Sequence, residues 1–152
     1  MLLFIAFAII ALLGLMVLVR LAPADPAAWH IDLEKDRPAV MPYTLMPPET
    51  DLVRPLTGGA YADLFTTPET AIELLGKLDD IAMATPRTTR LAGSVADGRI
   101  TWETRSALWG FPDYTTAQVT TAGLTIYARL RFGREDMGVN AARLRGWLAA
   151  LN

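Results

Sequence analysis

The hydrophobic pattern begins with an apolar run without charge over residues 2–19. As an α-helix, these 18 residues extend about 27 Å, close to the hydrocarbon thickness of about 30 Å in a typical bilayer. Thirteen of the positions are Leu, Ile, Val or Phe, which favours membrane insertion by roughly 4 to 8 kcal/mol. The sequence therefore predicts a transmembrane helix over residues 1–20, and no other segment has a comparable run.

The same segment could instead be a cleaved signal peptide, with Ala22-Pro23-Ala24 as a small-residue cleavage site. Signal peptides carry basic residues before the apolar run, whereas here Arg20 follows the run and no basic residue precedes it. We therefore expect a retained membrane anchor. The flanking charges, the amino group and Arg20, balance each other and do not decide which side of the membrane the rest of the chain faces.

The next part of the chain, residues 21–60, has an irregular pattern, and we call it the strap. Its density of prolines argues against a helix and against a central strand. The prolines are Pro23, Pro26, Pro38, Pro42, Pro47, Pro48 and Pro55. The strap nevertheless carries apolar residues that a solvated linker would lack. They are Trp29, Ile31, Leu33, Met41, Tyr43, Leu45 and Met46. We expect an extended segment packed on a soluble domain formed by residues 61–152.

Two helices are predicted within residues 61–152. The first begins after Thr67, a good N-cap, has Pro68 at its first position and ends before Pro86. Its apolar face consists of Ile72, Leu75, Leu78 and Ile81 or Ala82. The second helix is predicted over residues 138–150, with Asp136 as its cap. Its predicted buried stripe is Val139, Leu144, Trp147, Leu148 and Leu151.

Between these helices, the pattern predicts two β-hairpins, with turns at Asp97-Gly98 and, more weakly, at Ala122-Gly123. The four strands are predicted over residues 87–96, 99–108, 114–121 and 124–132. In the second and fourth strands, apolar residues alternate with polar and basic residues. We therefore predict an α+β domain of order α-β-β-β-β-α. The two helices would cover the apolar face of a four-stranded antiparallel sheet, and the opposite face would be basic.

The composition excludes several kinds of site. The chain has no cysteine, which rules out disulfides, thiolate nucleophiles and cysteine-based zinc sites. His30 is the only histidine, so a histidine-based metal cluster is not possible. The sequence contains neither a Walker loop nor a Gly-x-Gly-x-x-Gly motif, and we predict no cofactor. A membrane anchor and a net charge of −2 also argue against nucleic acid as a partner.

Catalytic groups are equally sparse. A serine nucleophile would have to be Ser94 or Ser106, with His30 as its base and Asp113 as the orienting carboxylate. Neither serine lies in a Gly-x-Ser-x-Gly motif, and no feature of the sequence brings His30 close to either one. We predict no catalytic residue. Trp29-His30 is interpreted as an interfacial anchor just outside the bilayer.

Charge is distributed unevenly along the chain. Residues 1–86 contain 5 Lys and Arg against 11 Asp and Glu, whereas residues 87–152 contain 9 against 5. This segregation indicates either an anionic partner for the second half or contact between the two halves. Arg105, Arg129 and Arg131 share the predicted basic face, where guanidinium groups suit carboxylates, phosphates or anionic lipid headgroups. Alternatively, the acidic residues of the strap cover this face. These residues are Asp32, Glu34, Asp36, Glu49 and Asp51.

The carboxyl-terminal part of the chain contains the run Arg131-Phe-Gly-Arg-Glu-Asp136-Met-Gly138-Val-Asn140-Ala-Ala-Arg143. This run resembles the Arg-x-Gly-x-x-Asp-x-Gly-x-Asn-x-x-Arg pattern of a bacterial and plastid family, domain of unknown function 1499. Gly110-Phe-Pro-Asp113-Tyr resembles the strand entry that precedes it, and the similarity covers residues 40–150. The resemblance implies a small, exported or membrane-tethered domain without an assigned activity. The resulting candidate cluster is Arg105, Asp113, Arg129, Arg131, Asp136, Asn140 and Arg143.

Together, the anchor, the strap and the missing catalytic set lead us to expect a non-enzymatic accessory or assembly protein of the bacterial inner membrane. A small subunit of an energy-transducing complex is one such protein, and its partners would be the lipid bilayer and other membrane-protein subunits. The alternative is an envelope enzyme or a domain that binds an anionic ligand or lipid through Asp113, Arg129, Arg131 and Asp136. The resemblance to exported proteins favours a periplasmic soluble domain.

Overall fold

The structure is a computed structural model that describes residues 1–36 and 51–151. The apolar strap residues between Met41 and Met46, and the carboxylate of Glu49, lie outside the described residues. The helices are α1 (Leu2–Leu21), α2 (Pro26–Trp29), α3 (Pro68–Ala84) and α4 (Val139–Ala149). The strands are β1 (Val53–Leu56), β2 (Gly59–Phe65), β3 (Thr88–Ser94), β4 (Arg99–Arg105), β5 (Pro112–Thr120) and β6 (Gly123–Leu130).

The described residues form one antiparallel sheet of six strands in the order β1-β2-β6-β5-β4-β3, so the predicted α+β class is confirmed but the predicted number of strands is wrong. The two strands that were not predicted are β1 and β2, which begin at Val53 and Gly59, inside the segment that we expected to be entirely strap. Pro55 is tolerated because β1 is an edge strand, where one side of the backbone needs no partner. Residue 61, where we predicted the domain to begin, therefore lies inside β2, in the hairpin that β1 and β2 form.

The two hairpins predicted from turn signals both form. The first has a longer loop than predicted, because Ser94 pairs with Arg99 and residues 95–98 form a four-residue connection. The second has a two-residue turn, since Thr120 pairs with Gly123. The second predicted strand is shorter than expected, because β4 ends at Arg105 and residues 106–111 form a loop before β5.

Helices α3 and α4 pack on one face of the sheet, which we call the helix face. Thr67 caps α3 as predicted, since its side chain accepts a hydrogen bond from the backbone nitrogen of Thr70. The core beneath the helices includes fully buried Leu75, Leu78 and Leu144. Two predicted core positions are wrong: Val139 and Ile72 are exposed. The corresponding buried positions are Asn140, Ala141 and Ala71, because each helix is rotated slightly from the predicted orientation.

The opposite face, which we call the strap face, is covered by the first part of the strap. Trp29 stacks on Tyr114 of β5, with the ring centroids 4.1 Å apart. Leu33 is buried, and its backbone nitrogen donates to the side-chain oxygen of Gln118 at 2.7 Å. This part of the strap therefore packs on the domain, and its apolar residues fill gaps between polar side chains of the sheet.

Helix α1 projects away from this domain. Its apolar segment, Leu3–Leu21, has a mean hydropathy of 2.7, and none of it is buried. By length and composition, this helix can span a membrane or serve as a signal sequence. It ends at Leu21, so Arg20 lies in its last turn.

Candidate functional site

The seven candidate residues divide into two groups on opposite faces of the sheet. The first group, on the strap face, consists of Arg105, Arg129 and Arg131. The second group, on the helix face where α4 begins, consists of Asp113, Asp136, Asn140 and Arg143. Because the sheet separates the two groups, they do not form a single cleft.

Arg105 binds the carboxyl-terminal end of α1. One terminal nitrogen of its guanidinium group donates to the carbonyl oxygens of Val19 at 3.3 Å and Arg20 at 3.1 Å, and the other donates to that of Ala22 at 3.4 Å. The carbonyl oxygen of Val19 also accepts a hydrogen bond from the backbone nitrogen of Ala22 at 3.3 Å, and a cation is favoured at this end of the helix dipole. The Nε atom of Arg105 also contacts the carboxylate of Glu103 at 2.5 Å. Arg105 therefore connects the apolar helix directly to the sheet.

Arg129 and Arg131 bind the strap in the same manner. Arg129 donates to the carbonyl oxygen of Trp29 at 2.6 Å, and its guanidinium carbon lies 5.2 Å from the ring centroids of both Trp29 and Tyr127. Arg131 donates to the carbonyl oxygen of Pro23 at 2.9 Å. Burial lowers the pKa of Arg129, although a guanidinium group stays protonated in proteins. The three candidate arginines of this face are therefore engaged by the chain itself.

The strap covers the basic face through its backbone carbonyls rather than through the carboxylates that we considered. Asp32 accepts a hydrogen bond from Gln118 at 3.0 Å and lies 3.9 Å from Arg99, outside the group of three arginines. Hydrogen bonds, first from Gln118 and then from the backbone of Glu34, lower the pKa of Asp32 to about 2. Asp51 pairs at 2.6 Å with Arg145 of α4. The acidic residues described here thus do not neutralise Arg105, Arg129 or Arg131.

His30 lies against the sheet, as does Trp29, and the interfacial role expected for Trp29-His30 stays a prediction. Its Nδ1 atom is 2.9 Å from the hydroxyl oxygen of Thr101, and its Nε2 atom is 3.1 Å from Nε of Arg99. Arginine offers only donors, so Nε2 must accept, and the proton of the neutral ring is on Nδ1 and donated to Thr101. The position of the strap therefore depends on a neutral imidazole.

We expect the stability of the folded chain to fall below pH 6.5, where His30 becomes protonated in the unfolded state. Burial, and then the charge of Arg99, lower the pKa of His30, while Asp97 opposes this shift. A lowered pKa means that the stabilising contribution is complete above the unfolded value and is lost as the pH falls through the folded value. Thermal unfolding from pH 8 to pH 5 should show a steeper acid-side loss in the native chain than in His30→Gln. Parallel curves would contradict this prediction.

The second group forms a closed network at the start of α4. Arg143 bridges the carboxylate of Asp113 at 3.0 Å and the side-chain oxygen of Asn140 at 2.5 Å. Asp136 accepts hydrogen bonds from the backbone nitrogens of Gly138 and Asn140, at 3.1 and 2.8 Å, and in this way caps α4 from two positions before its N-cap. Burial raises the pKa of Asp113 even though Arg143 opposes the shift. The motif residues are thus used to hold helix, turn and sheet together.

The described residues bring no catalytic set together. The hydroxyl of Ser94 donates to Asp97 at 2.6 Å, and that of Ser106 accepts from the backbone nitrogen of Phe111 at 3.0 Å, while His30 binds Thr101. In the part of the chain that the structure describes, no group of three or more His, Asp or Glu residues could hold a metal ion.

An aromatic cluster beside the end of α1 was not predicted from the sequence. The rings of Trp109 and Phe111 lie 6.3 Å apart, and those of Phe111 and Phe132 lie 5.9 Å apart. Leu108 and Phe132 are the last residues of two predicted strands. The run Leu108-Trp109-Gly110-Phe111 was the available signal, because three large apolar residues so close together rarely face water without a reason.

Comparison with known proteins supports the resemblance found in the motif. Searches among curated proteins and among solved structures find no significant match. The model of a family described as a protein of unknown function, DUF1499, matches residues 25–151. The match begins at the N-cap of α2, so it includes the part of the strap that packs on the sheet, as well as the domain. The chain therefore belongs to the DUF1499 family.

Proposed function

We propose that this chain is a membrane-anchored, non-enzymatic accessory or assembly protein of the bacterial inner membrane. In this proposal α1 is retained and spans the bilayer, and the domain of the DUF1499 family acts at the membrane surface. The observation that carries the proposal is the binding of Arg105 to three carbonyl oxygens at the end of α1. A signal peptide destined for removal has no need of such a connection to the mature domain.

The same contact has a mechanical consequence. A flexible linker would let the domain move freely relative to its anchor, whereas here the chain passes from α1 directly onto the sheet. Arg20 donates to the carbonyl oxygen of Leu108 at 2.8 Å and fixes the same junction from the other side. The domain is thereby held in a defined orientation, which suits a protein that presents a surface to a neighbouring membrane subunit. A small subunit of an energy-transducing complex fits this description.

The alternative, an envelope enzyme or anionic-ligand domain that uses Asp113, Arg129, Arg131 and Asp136, has less support. These four residues lie on two faces of the sheet, and each has a partner within the chain. A ligand would have to displace the strap carbonyls before it reached Arg129 or Arg131. The periplasmic location is likewise a proposal that rests on the resemblance to exported proteins, and a topology reporter fused after the last residue tests it.

Purification from native membranes in a mild detergent tests the main proposal. We expect the full chain, tagged at its carboxyl terminus, to migrate above its monomer mass and to retain the same membrane proteins in every preparation. An unrelated single-span protein with the same tag, prepared from the same membranes, is the control for nonspecific capture. A solitary monomer in all fractions would contradict the proposal.

A further inference from the structure

One end of the sheet carries an apolar patch that faces away from the domain. Leu108 is 69% exposed, Phe132 is 44% exposed and Phe111 is 37% exposed, and Trp109 is half-buried between them and the loop. We call Leu108, Trp109, Phe111 and Phe132 the aromatic patch. Three residues of the patch belong to the loop between β4 and β5, and the fourth, Phe132, follows the end of β6, so the patch is built from distant parts of the chain. A contiguous apolar surface of this kind marks an interaction site more often than isolated exposed residues do.

The aromatic patch adjoins the point where α1 leaves the domain. The guanidinium group of Arg20 donates to the carbonyl oxygen of Leu108 at 2.8 Å, and that of Arg105 donates to Gly110 at 3.2 Å. Gly110 has a φ of +75°, and a β-carbon there would lie 2.7 Å from the side chain of Arg20. The loop is therefore held against the last turn of the apolar helix. Its exposed side chains lie at the level where the chain would emerge from a bilayer.

We propose that the aromatic patch is a second membrane contact, which inserts into the headgroup region of the same bilayer that α1 crosses. This inference rests on the proposed anchoring of α1. Tryptophan is favoured at this depth because its ring is apolar but carries a polar N–H group, and phenylalanine and leucine can bury their side chains at the boundary between headgroups and acyl chains. The occupant is lipid rather than a second protein because the hydrogen bond from Arg20, in the last turn of the anchor, to the carbonyl oxygen of Leu108 holds the patch where α1 leaves the bilayer.

The charges beside the aromatic patch also fit a lipid surface. A cleft of about 340 Å³ adjoins it, lined by Arg20, Arg87 and Arg105 with Glu103 as the one carboxylate of the lining described here. Guanidinium groups just beyond an apolar contact lie at the depth of the headgroup phosphates. The apolar side chains of the patch would therefore contact the apolar side of the headgroup region, and the arginines of the cleft would contact the phosphates of anionic lipids.

A small patch is enough because the domain is already tethered. Once α1 is inserted, docking of the patch is an intramolecular step with a high effective concentration, so it need not provide the free energy of membrane recruitment. The effect of docking is to fix the orientation of the domain and keep the strap face and the start of α4 in a constant direction relative to the membrane.

The absence of cysteine allows a direct test with single labelled sites. The full chain with Ala107→Cys, labelled with a fluorophore, is reconstituted in vesicles of phosphatidylethanolamine and phosphatidylglycerol that contain lipids with a nitroxide quencher below the headgroup. Ala122→Cys, in the turn at the opposite end of the sheet, is the matched site, and Ile10→Cys reports on the anchor.

We expect quenching of the fluorophore at positions 107 and 10 and none at position 122. A probe at 107 that is as unquenched as the one at 122, with position 10 quenched, overturns the second contact and leaves the anchor intact. An unquenched probe at 10 overturns the anchor as well.

A second variant identifies the side chains responsible. In the Ala107→Cys chain, Phe111→Ser should reduce the ratio of docked to free domain by about tenfold, because one aromatic ring no longer enters the bilayer. Ile72→Ser removes an apolar side chain that is at least as exposed, near the start of α3 at the other end of the sheet, and should leave the quenching unchanged. Equal quenching in Phe111→Ser and the parent would overturn the role of the aromatic patch.

Discussion

Replacing Arg105 with alanine is expected to lower the free energy of unfolding by about 3 kcal/mol, the low end of the cost of removing one partner of a buried ion pair, because the side chain of Arg105 is 26% exposed. The residue left behind is Glu103, which is only 7% exposed. Its remaining partner is the hydroxyl of Tyr114, at 3.3 Å, which does not supply a charge. The carbonyl oxygens of Val19 and Arg20 also lose their hydrogen bonds from Arg105. Chemical denaturation of the full chain in detergent measures the change.

Two further variants show whether the cost arises from the unpaired carboxylate. Arg105→Met combined with Glu103→Gln removes both charges, and should recover a large part of the lost stability because no uncompensated charge is buried. Arg134→Ala removes an arginine whose side chain is exposed, and should change the stability by less than about 0.5 kcal/mol. If Arg105→Ala proved no more harmful than Arg134→Ala, the connection between anchor and sheet would be energetically irrelevant.

The second large effect is expected at Asp79, on the buried side of α3. Its carboxylate accepts a hydrogen bond from the indole nitrogen of Trp102 at 2.9 Å and also pairs with Arg90. Asp79→Ala leaves the buried indole N–H without an acceptor and Arg90 without its partner. Because Arg90 is 43% exposed, solvent reduces the second loss, and we expect about 2 to 4 kcal/mol of destabilisation in total.

The adjacent residue provides the control for this prediction. Asp80 is exposed, so Asp80→Ala should change the unfolding free energy by less than about 0.5 kcal/mol. The near-ultraviolet circular dichroism of Trp102 offers a second readout, since its indole loses a fixed partner only in Asp79→Ala. Similar destabilisation by both substitutions would show that the hydrogen bond to Trp102 contributes little.

These two predictions bear on function because they distinguish charged side chains that stabilise the fold from charged side chains that are free to bind a partner. In the described part of the chain, the arginines of the candidate cluster contact carbonyl oxygens or carboxylates of the chain itself. The motif of the carboxyl-terminal run likewise serves the turn into α4 through Asp136 and Asn140. Among the described residues, the surface of α1 and the aromatic patch are exposed features that remain available to partners.

The sequence by itself determined the elements whose signals are local. The apolar run predicted α1, Thr67 and Pro68 predicted the start of α3, and the two turns predicted four of the six strands. Each of these depends on residues within a few positions of one another. The family resemblance has the same origin, since a spaced motif of 13 residues carried it and the family match confirmed it.

Only the tertiary structure decided which groups meet across the chain. The strand around Pro55 forms because a neighbouring strand is available at the sheet edge, although its local pattern argues against it. The arginines face backbone carbonyls of the strap, and side-chain patterns carry no information about where a carbonyl will lie. The aromatic patch joins Phe111 to Phe132 only after β5 and β6 have paired. Pairing, docking and charge compensation over such separations depend on the packed arrangement of the whole domain, which no local segment specifies.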